Sequence, residues 1–434
     1  MSGAGELPAK GRVTVTIAAT KNRTRSVKRP LLLTVGPREG DLRGDDDRIL
    51  QAAADYLHRL GGGTLQILPG QYTMSNALYL HPHITIRGAG ESTVLRKAPG
   101  ACTPITRDSD WYENKVTVRD PGPFAPGCGI MLRSYRNGSI HEVVRDTVTH
   151  VEGDELTLSR RLEKNCWLED EATAATLFPL LTAAEHVDDV CVESLVLDGN
   201  REHNDEINGN YAGAVFIQHC HRFTFRAVIA RNYNGDGFSF QVCDDIHFER
   251  CRSENNANLG FHPGSGSQRP IFRNCSSRGN AQGIFFCWGV TDGLVDDCDC
   301  SQNRDFGISI GHRDTDNRIL NTRIEGNHKV GVLFRERGGS EYRGGHRNLI
   351  EGCLVRDNGF AADGVGIDVD GPTHDTVVRN TRFEDSGDGR QRIGVRIGEQ
   401  ARNVQLEANT FLRMEGEVVE PVPSSAQAAG SVSP

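Results

Sequence analysis

Between Gly213 and Gly394 a glycine followed by a short run of alternating apolar residues recurs eight times, and most copies stand 23 or 24 residues apart. The copies begin at Gly213, Gly237, Gly260, Gly283, Gly307, Gly331, Gly366 and Gly394. A fixed period of this size means one supersecondary unit per repeat, and each unit can bury its apolar face only against its neighbours. The chain is therefore expected to stack.

Every period carries a second short run, such as Phe223-Thr-Phe, Ile246-His-Phe, Pro270-Ile-Phe, Arg318-Ile-Leu or Thr376-Val-Val, followed by an Asn-rich turn. Runs this short, alternating at period two between Gly, Asn and Asp, are strands and not the helices of an α-solenoid. Leucine-rich repeats share the period but need a Leu scaffold that is missing here. What remains is an all-β fold, a right-handed parallel β-helix in which each strand pairs with its counterpart one coil away. Two rows support that register. Cys251, Cys275, Cys298 and Cys353 share one repeat position, with Thr322 and Thr381 filling it elsewhere. Five residues later stand Asn232, Asn256, Asn280, Asn303, Asn327 and Asn358, the first counted from Ala227. Asn tolerates the left-handed backbone of a sharp bend, and stacked amides can bond from coil to coil.

The 12 cysteines follow from the same pattern, since four lie on one inward row where small thiols pack well; they are expected to be free. No cysteine spacing suggests a metal site. A net charge of −9 argues against nucleic acid as a partner. No apolar run is long enough to span a bilayer. Near the start, Val13-Thr-Val-Thr-Ile alternates like a strand and is no signal-peptide core, so the chain as written reads as cytoplasmic; an upstream segment would make it secreted. Oligomeric state is not legible.

Asp45 to Asp47 precede apolar residues on one helical face (Ile49, Leu50, Ala53, Ala54, Leu57, Leu60), with an Asp N-cap and Gly61 as the stop. Such a helix would cover the open end of the stack, whose unpaired strand edges invite aggregation. Gly61-Gly-Gly-Thr through Pro69-Gly-Gln-Tyr72 then enters strands, and Ile84-Thr-Ile-Arg-Gly-Ala-Gly closes a first coil. In this opening and in the coils through about residue 412, the chain resembles the pectin/pectate-lyase-like β-helix superfamily. The resemblance implies architecture far more than chemistry, because that superfamily includes lyases, glycoside hydrolases, epimerases, phage tailspikes and silent modules. The polygalacturonase motif set is not reproduced; Asp244-Asp245 and Gly311-His312 are only fragments of it.

Between about residues 101 and 185 the repeat disappears, and short runs joined by Gly, Pro and Asp turns suggest an inserted antiparallel β-subdomain able to wall one side of a groove. The organisation expected is a basic segment with short strands (1–36), capping helix and first coils (37–100), insertion (101–185), main β-helix (186–413) and a disordered tail (414–434).

Alternation sends the first and third residues after each repeat glycine inward and the second and fourth outward. Adjacent coils lie roughly 4.8 Å apart, so outward side chains of neighbouring coils converge. The outward set and the loops leaving it are rich in groups that stacking does not require. We expect a glycan groove across the coils from Gly237 to Gly366. His262, His312, Arg335, Glu336, Asp314, Asp368 and Asp370 are candidates for chemistry; Ser239, Gln241, Trp288, Arg313, Arg337 and Arg396 are candidates for substrate binding. Each has a plain alternative: His262 before Pro263 as a turn former, His312 to Asp314 as a solvated turn, Arg335 to Arg337 as surface charge, Trp288 as a buried plug. Asp368 and Asp370, two apart on one strand face, are separated by roughly 6.5 to 7 Å along the backbone. That approaches the separation of an inverting hydrolase pair, and it also fits an Asp-Gly turn. Asp314, Asp316 and Asn317 offer oxygens for calcium without a ligand-loop signature, so no cofactor is expected.

Three activities compete. A glycoside hydrolase would use one carboxylic acid as proton donor and another to activate water, and carboxylate density favours it slightly. A polysaccharide lyase or uronate epimerase would neutralise a substrate carboxylate with Arg335 or Arg313 and move a proton with His262 or His312. A non-catalytic module would bind a polysaccharide or oligosaccharide without turnover.

Overall fold

The structure, a computed structural model, describes residues 31–335 and 341–420. The basic segment before Leu31, with its expected strand at Val13, lies outside the described residues, as do Glu336, Arg337 and residues 421–434. The 23-residue beat becomes coils. One strand per coil joins an 11-stranded parallel sheet running through Leu78–Leu80, Leu181–Ala183, Gly213–Gln218, Asp236–Gln241, Leu259–Pro263, Gln282–Phe285, Phe306–Ile310, Val330–Phe334, Val365–Val369, Ile393–Ile397 and Gly416–Val419. Shorter strands, such as His247–Glu249 and Arg252–Glu254, build a second parallel system of 22 strands around the same core. Register is direct: Phe238 pairs with Phe261, and Ser239 with His262.

Inward positions stack like on like. Phe225, Phe248 and Phe272 lie ring over ring at 5.0 and 5.1 Å, and Phe238 stacks on Phe261 at 4.9 Å. The two rows meet edge to face, the arrangement aromatic quadrupoles favour. The cysteine row is buried and reduced. The asparagine row is buried, and each Oδ1 accepts the N–H of the equivalent residue one coil earlier, as Asn280 does from Asn256 and Asn327 from Asn303. Two details differ from expectation. Asn232 is not in this row: Tyr233 holds the position, donating its N–H to Asn256, and Gln391 continues the row beyond Asn358. The left-handed residues are those just before the row, including Asn255, Gly279, Gln302, Gly326 and Asp357, so the bend and the amide ladder are divided between adjacent residues.

The helix Asp47–Arg59 is capped by Asp46, whose carboxylate accepts the Ile49 N–H at 3.1 Å, and it buries Leu50, Ala53, Ala54 and Leu57. Leu60, expected on that face, is exposed. The insertion is a six-stranded antiparallel sheet from Cys102–Pro104 to Thr173–Ala175, with its own core around Val116, Val148 and Leu156. The main sheet has already resumed at Leu181. Its far end extends past the expected boundary at residue 413, because Gly416–Val419 still pairs with Ile393–Ile397. Among the described residues no helix is long and apolar enough to cross a membrane.

Candidate functional site

Alternation places Ser239, His262, Ser309 and Asp368 on the outward row of the 11-stranded sheet, yet all four are buried. Two different coverings achieve this. Over the first coils lie the inserted subdomain and the segment 201–211; over the later coils the row closes on itself through ion pairs.

The first covering is incomplete and leaves a groove of about 1030 Å³. Arg133 and Tyr135 of the insertion and Glu206 and Asn208 of the covering segment form one side; Asp236, Gln241, His262, Phe285, Cys287 and Trp288 come from the sheet and its loops. His262 is almost wholly buried, and its Nδ1 bonds the Asp236 carboxylate at 2.7 Å. The other oxygen of Asp236 accepts the Leu259 N–H at 3.0 Å, which fixes the carboxylate. Burial disfavours the charged imidazole, but the hydrogen bond and charge of Asp236, helped by the adjacent Cys287 thiol, overcome this and hold His262 up at about 9. Nε2 of the same ring is buried with no aligned hydrogen-bond partner among the described residues. A buried polar atom left in this way costs stability, and a catalytic role or a water, ion or ligand that completes the bonding accounts for it.

Two close approaches show how tightly this corner is built. A Cβ on Gly209 would stand 1.8 Å from an Asp236 oxygen, and one on Gly264 would stand 2.1 Å from the Gln241 amide. Gln241 is oriented by the Ser265 N–H, which its Oε1 accepts at 2.9 Å, and Ser239 donates to the Gly209 carbonyl at 2.7 Å. Ser239 therefore supports the wall from beneath. Arg133 is buried along the groove, donating to the Glu206 carbonyl at 3.3 Å and pairing with Asp205 at 3.5 Å, while its Nε has no partner among the described residues. Trp288 is half exposed, with a left-handed backbone (φ 59°) rare for a bulky residue, and its indole stacks on His312 at 4.6 Å. Beyond it lies a smaller pocket of about 430 Å³ that includes Arg313 and Tyr342, the guanidinium resting over the phenol ring.

The remaining candidates are placed differently. Arg335 lies over the Phe285 ring and donates to Ser309 and to the Phe286 carbonyl, both at 2.6 Å, with Asp314 at 3.3 Å. Burial raises Asp314 to about 6, against the pull of Arg335. That carboxylate accepts the N–H groups of Gly289, Val290 and Gly311, so its acceptors hold loops. Asp368 is bound by two nitrogens of Arg396, at 2.9 and 2.5 Å, and Asp370 accepts the Gly371 N–H in an Asp-Gly turn. Asp314, Asp368 and Asp370 thus do not line one groove with His262, and the groove spans the coils from Gly213 to Phe306 where Gly237 to Gly366 was expected. The calcium oxygens are also dispersed: Asp316 pairs with Arg347, and Asn317 accepts the Gly293 N–H. Among the described residues no group of three or more His, Cys, Asp or Glu is placed to hold a metal ion.

The sequence matches the family described as right handed beta helix region over residues 213–340 and 290–425. Together with the coil-by-coil parallel pairing, this decides the class. The protein is a right-handed parallel β-helix. Among solved structures it is similar to the A-module of the mannuronan C-5 epimerase AlgE4 of Azotobacter vinelandii (16% identity, 88% of this chain and 96% of that one, TM-score 0.53). It is likewise similar to PfbA, a surface adhesin of Streptococcus pneumoniae (11%, 88% and 90%, 0.50), and to ORF18 of Geobacillus virus E2 (11%, 87% and 62%, 0.51). At these identities the likeness is one of fold. No curated protein sequence matches the chain significantly.

Proposed function

We propose that this β-helix binds a polysaccharide in the groove beneath the inserted subdomain and acts on it by proton transfer at His262, as a lyase or epimerase of uronic-acid-containing chains. The observation that carries this reading is the buried His262–Asp236 pair, with an unpartnered Nε2, beside Arg133 and Trp288 in one groove. The name of one fold relative, a mannuronan C-5 epimerase, is consistent with a sugar substrate.

Arg133 is suited to pair with a uronate carboxylate, which stabilises the charge that develops when the neighbouring C–H is ionised. Trp288 offers an indole face to a sugar ring. His262, protonated near neutral pH, would donate a proton, and Tyr135, which also lines the groove, would take the proton that leaves the C–H. Hydrolysis is less well supported than the sequence suggested, since Asp314 and Asp368 are occupied by structural bonds.

The test is incubation with a panel of neutral and uronate polysaccharides. The proposal expects either unsaturated, ultraviolet-absorbing chain ends or inversion of a uronate stereocentre read by NMR. Saturated reducing ends alone would establish hydrolysis instead, and binding without change would establish an adhesin-like role.

A further inference from the structure

Cys287 is not needed for the proton transfer just described, yet it occupies the most chemically charged corner of the groove. Of the 12 free cysteines nine are buried; Cys287 is half-buried, lines the groove and lies beside the imidazole of His262. Its backbone is fixed by an N–H bond to the Pro263 carbonyl at 3.0 Å, on the coil that carries His262. The order of groups is thiol, imidazole, buried carboxylate. The imidazole is oriented by Asp236 through Nδ1, and its Nε2 is the buried atom without an aligned partner. Next to them Gln241 has its Oε1 engaged by Ser265, and its Nε2 makes only a 3.5 Å contact with Ser239. An amide N–H donor therefore faces the same corner.

We propose that Cys287, His262 and Asp236 form a nucleophilic triad that cleaves acyl esters on sugar hydroxyls, with Gln241 as the oxyanion donor. The substrate class rests on the reading of the groove as a glycan site; the thiol chemistry does not. The Cys287 sulfur adds to the ester carbonyl carbon while its proton is held by His262 Nε2. The carbonyl oxygen becomes an oxyanion facing the Gln241 amide. As the C–O bond to the sugar breaks, His262 returns the proton to the departing sugar oxygen, leaving a thioester on Cys287. Water then adds to the thioester with His262 accepting its proton, the C–S bond breaks, the sulfur regains the proton, and a free carboxylic acid leaves. Asp236 keeps the ring in the required orientation throughout and does not exchange protons with substrate.

The experiment uses the full chain with p-nitrophenyl acetate. The expected result is a burst of nitrophenolate of one equivalent per protein at most, with the acetyl group found by mass spectrometry on the peptide containing Cys287. Cys287→Ser and His262→Asn should each reduce the burst at least about 100-fold, with far-ultraviolet circular dichroism confirming that the β-helix is intact. Cys102→Ala, which removes the exposed thiol, should leave the burst unchanged. An undiminished burst in Cys287→Ser, or acetyl found only on Cys102 or on lysines, would overturn the proposal. A second arm uses an O-acetylated uronate polysaccharide. Acetate release without altered chain ends or stereochemistry would support the triad while ending the lyase or epimerase reading, and altered chains with no acylated Cys287 in either arm would do the reverse.

Discussion

The outward row of one sheet has two halves that sequence cannot tell apart and structure separates sharply. From Ser239 to Cys287 the polar side chains lie under an inserted subdomain, and at least one buried atom, His262 Nε2, lacks an aligned partner. From Ser309 to Arg396 the carboxylates are paired with arginines: Arg335 reaches Ser309 and Asp314, and Arg396 holds Asp368. The difference teaches that charge on a solenoid's outer face is not by itself a site. What distinguishes the first half is an imidazole–carboxylate pair that lines an open groove, where the second half has carboxylates held by arginines.

The comparison is most easily broken by substitution in each half. His262→Gln should lower turnover of the responsive polysaccharide by at least about 100-fold, while Asp368→Asn should leave the turnover of folded protein within about twofold; equal losses would erase the distinction. Next in size is stability in the second half. Asp314→Ala removes the carboxylate beside Arg335 and the acceptor of three loop N–H groups, and should cost about 3–5 kcal/mol in denaturant unfolding without a comparable loss of turnover. The interior row gives a smaller effect. Asn303→Ala removes bonds to Asn327 and to the Ser277 carbonyl and should cost about 2 kcal/mol. Trp288→Ala should raise KM by severalfold, about 1 kcal/mol, with kcat little changed.

Acidity sharpens the same contrast. His262 is raised from 6.5 to about 9, so the stability it contributes is fully present below its unfolded value and is lost as pH rises through about 9. The Tm difference between wild type and His262→Gln should therefore shrink between pH 6.5 and 9. Activity that needs the protonated ring should fall over the upper part of the same range.

The stack was legible because it is written in repetition: the glycine period, the cysteine row and most of the asparagine row each recur where the coil geometry requires them. Asn232 falls outside the row because Ile229 pairs with Arg252, which aligns Val228 rather than Ala227 with Cys251 and puts Tyr233 at the ladder position. The candidate groove is only partly legible: His262, Gln241 and Trp288 of its lining stand among the residues the repeat points to, and Arg133, Tyr135 and Asp236 do not. Arg133 and Tyr135 come from the non-repeating insertion, whose docking no period encodes. Asp236 carried a signal that was overlooked. The residue before each repeat glycine is Ala212, Asp236, Leu259, Gln282, Phe306, Val330, Val365 or Ile393, and Asp236 alone is charged. A carboxylate at a position the fold otherwise fills with mostly apolar residues calls for a partner, and that partner is His262.

The most direct test of this division is a crystal structure with a bound uronate oligosaccharide. The account predicts sugar rings between Tyr135 and Trp288, a carboxylate against Arg133 and a ring atom within hydrogen-bonding reach of His262 Nε2. Sugar lying instead along Leu333, Asp368 and Arg396, with the groove beneath the insertion empty, would contradict it.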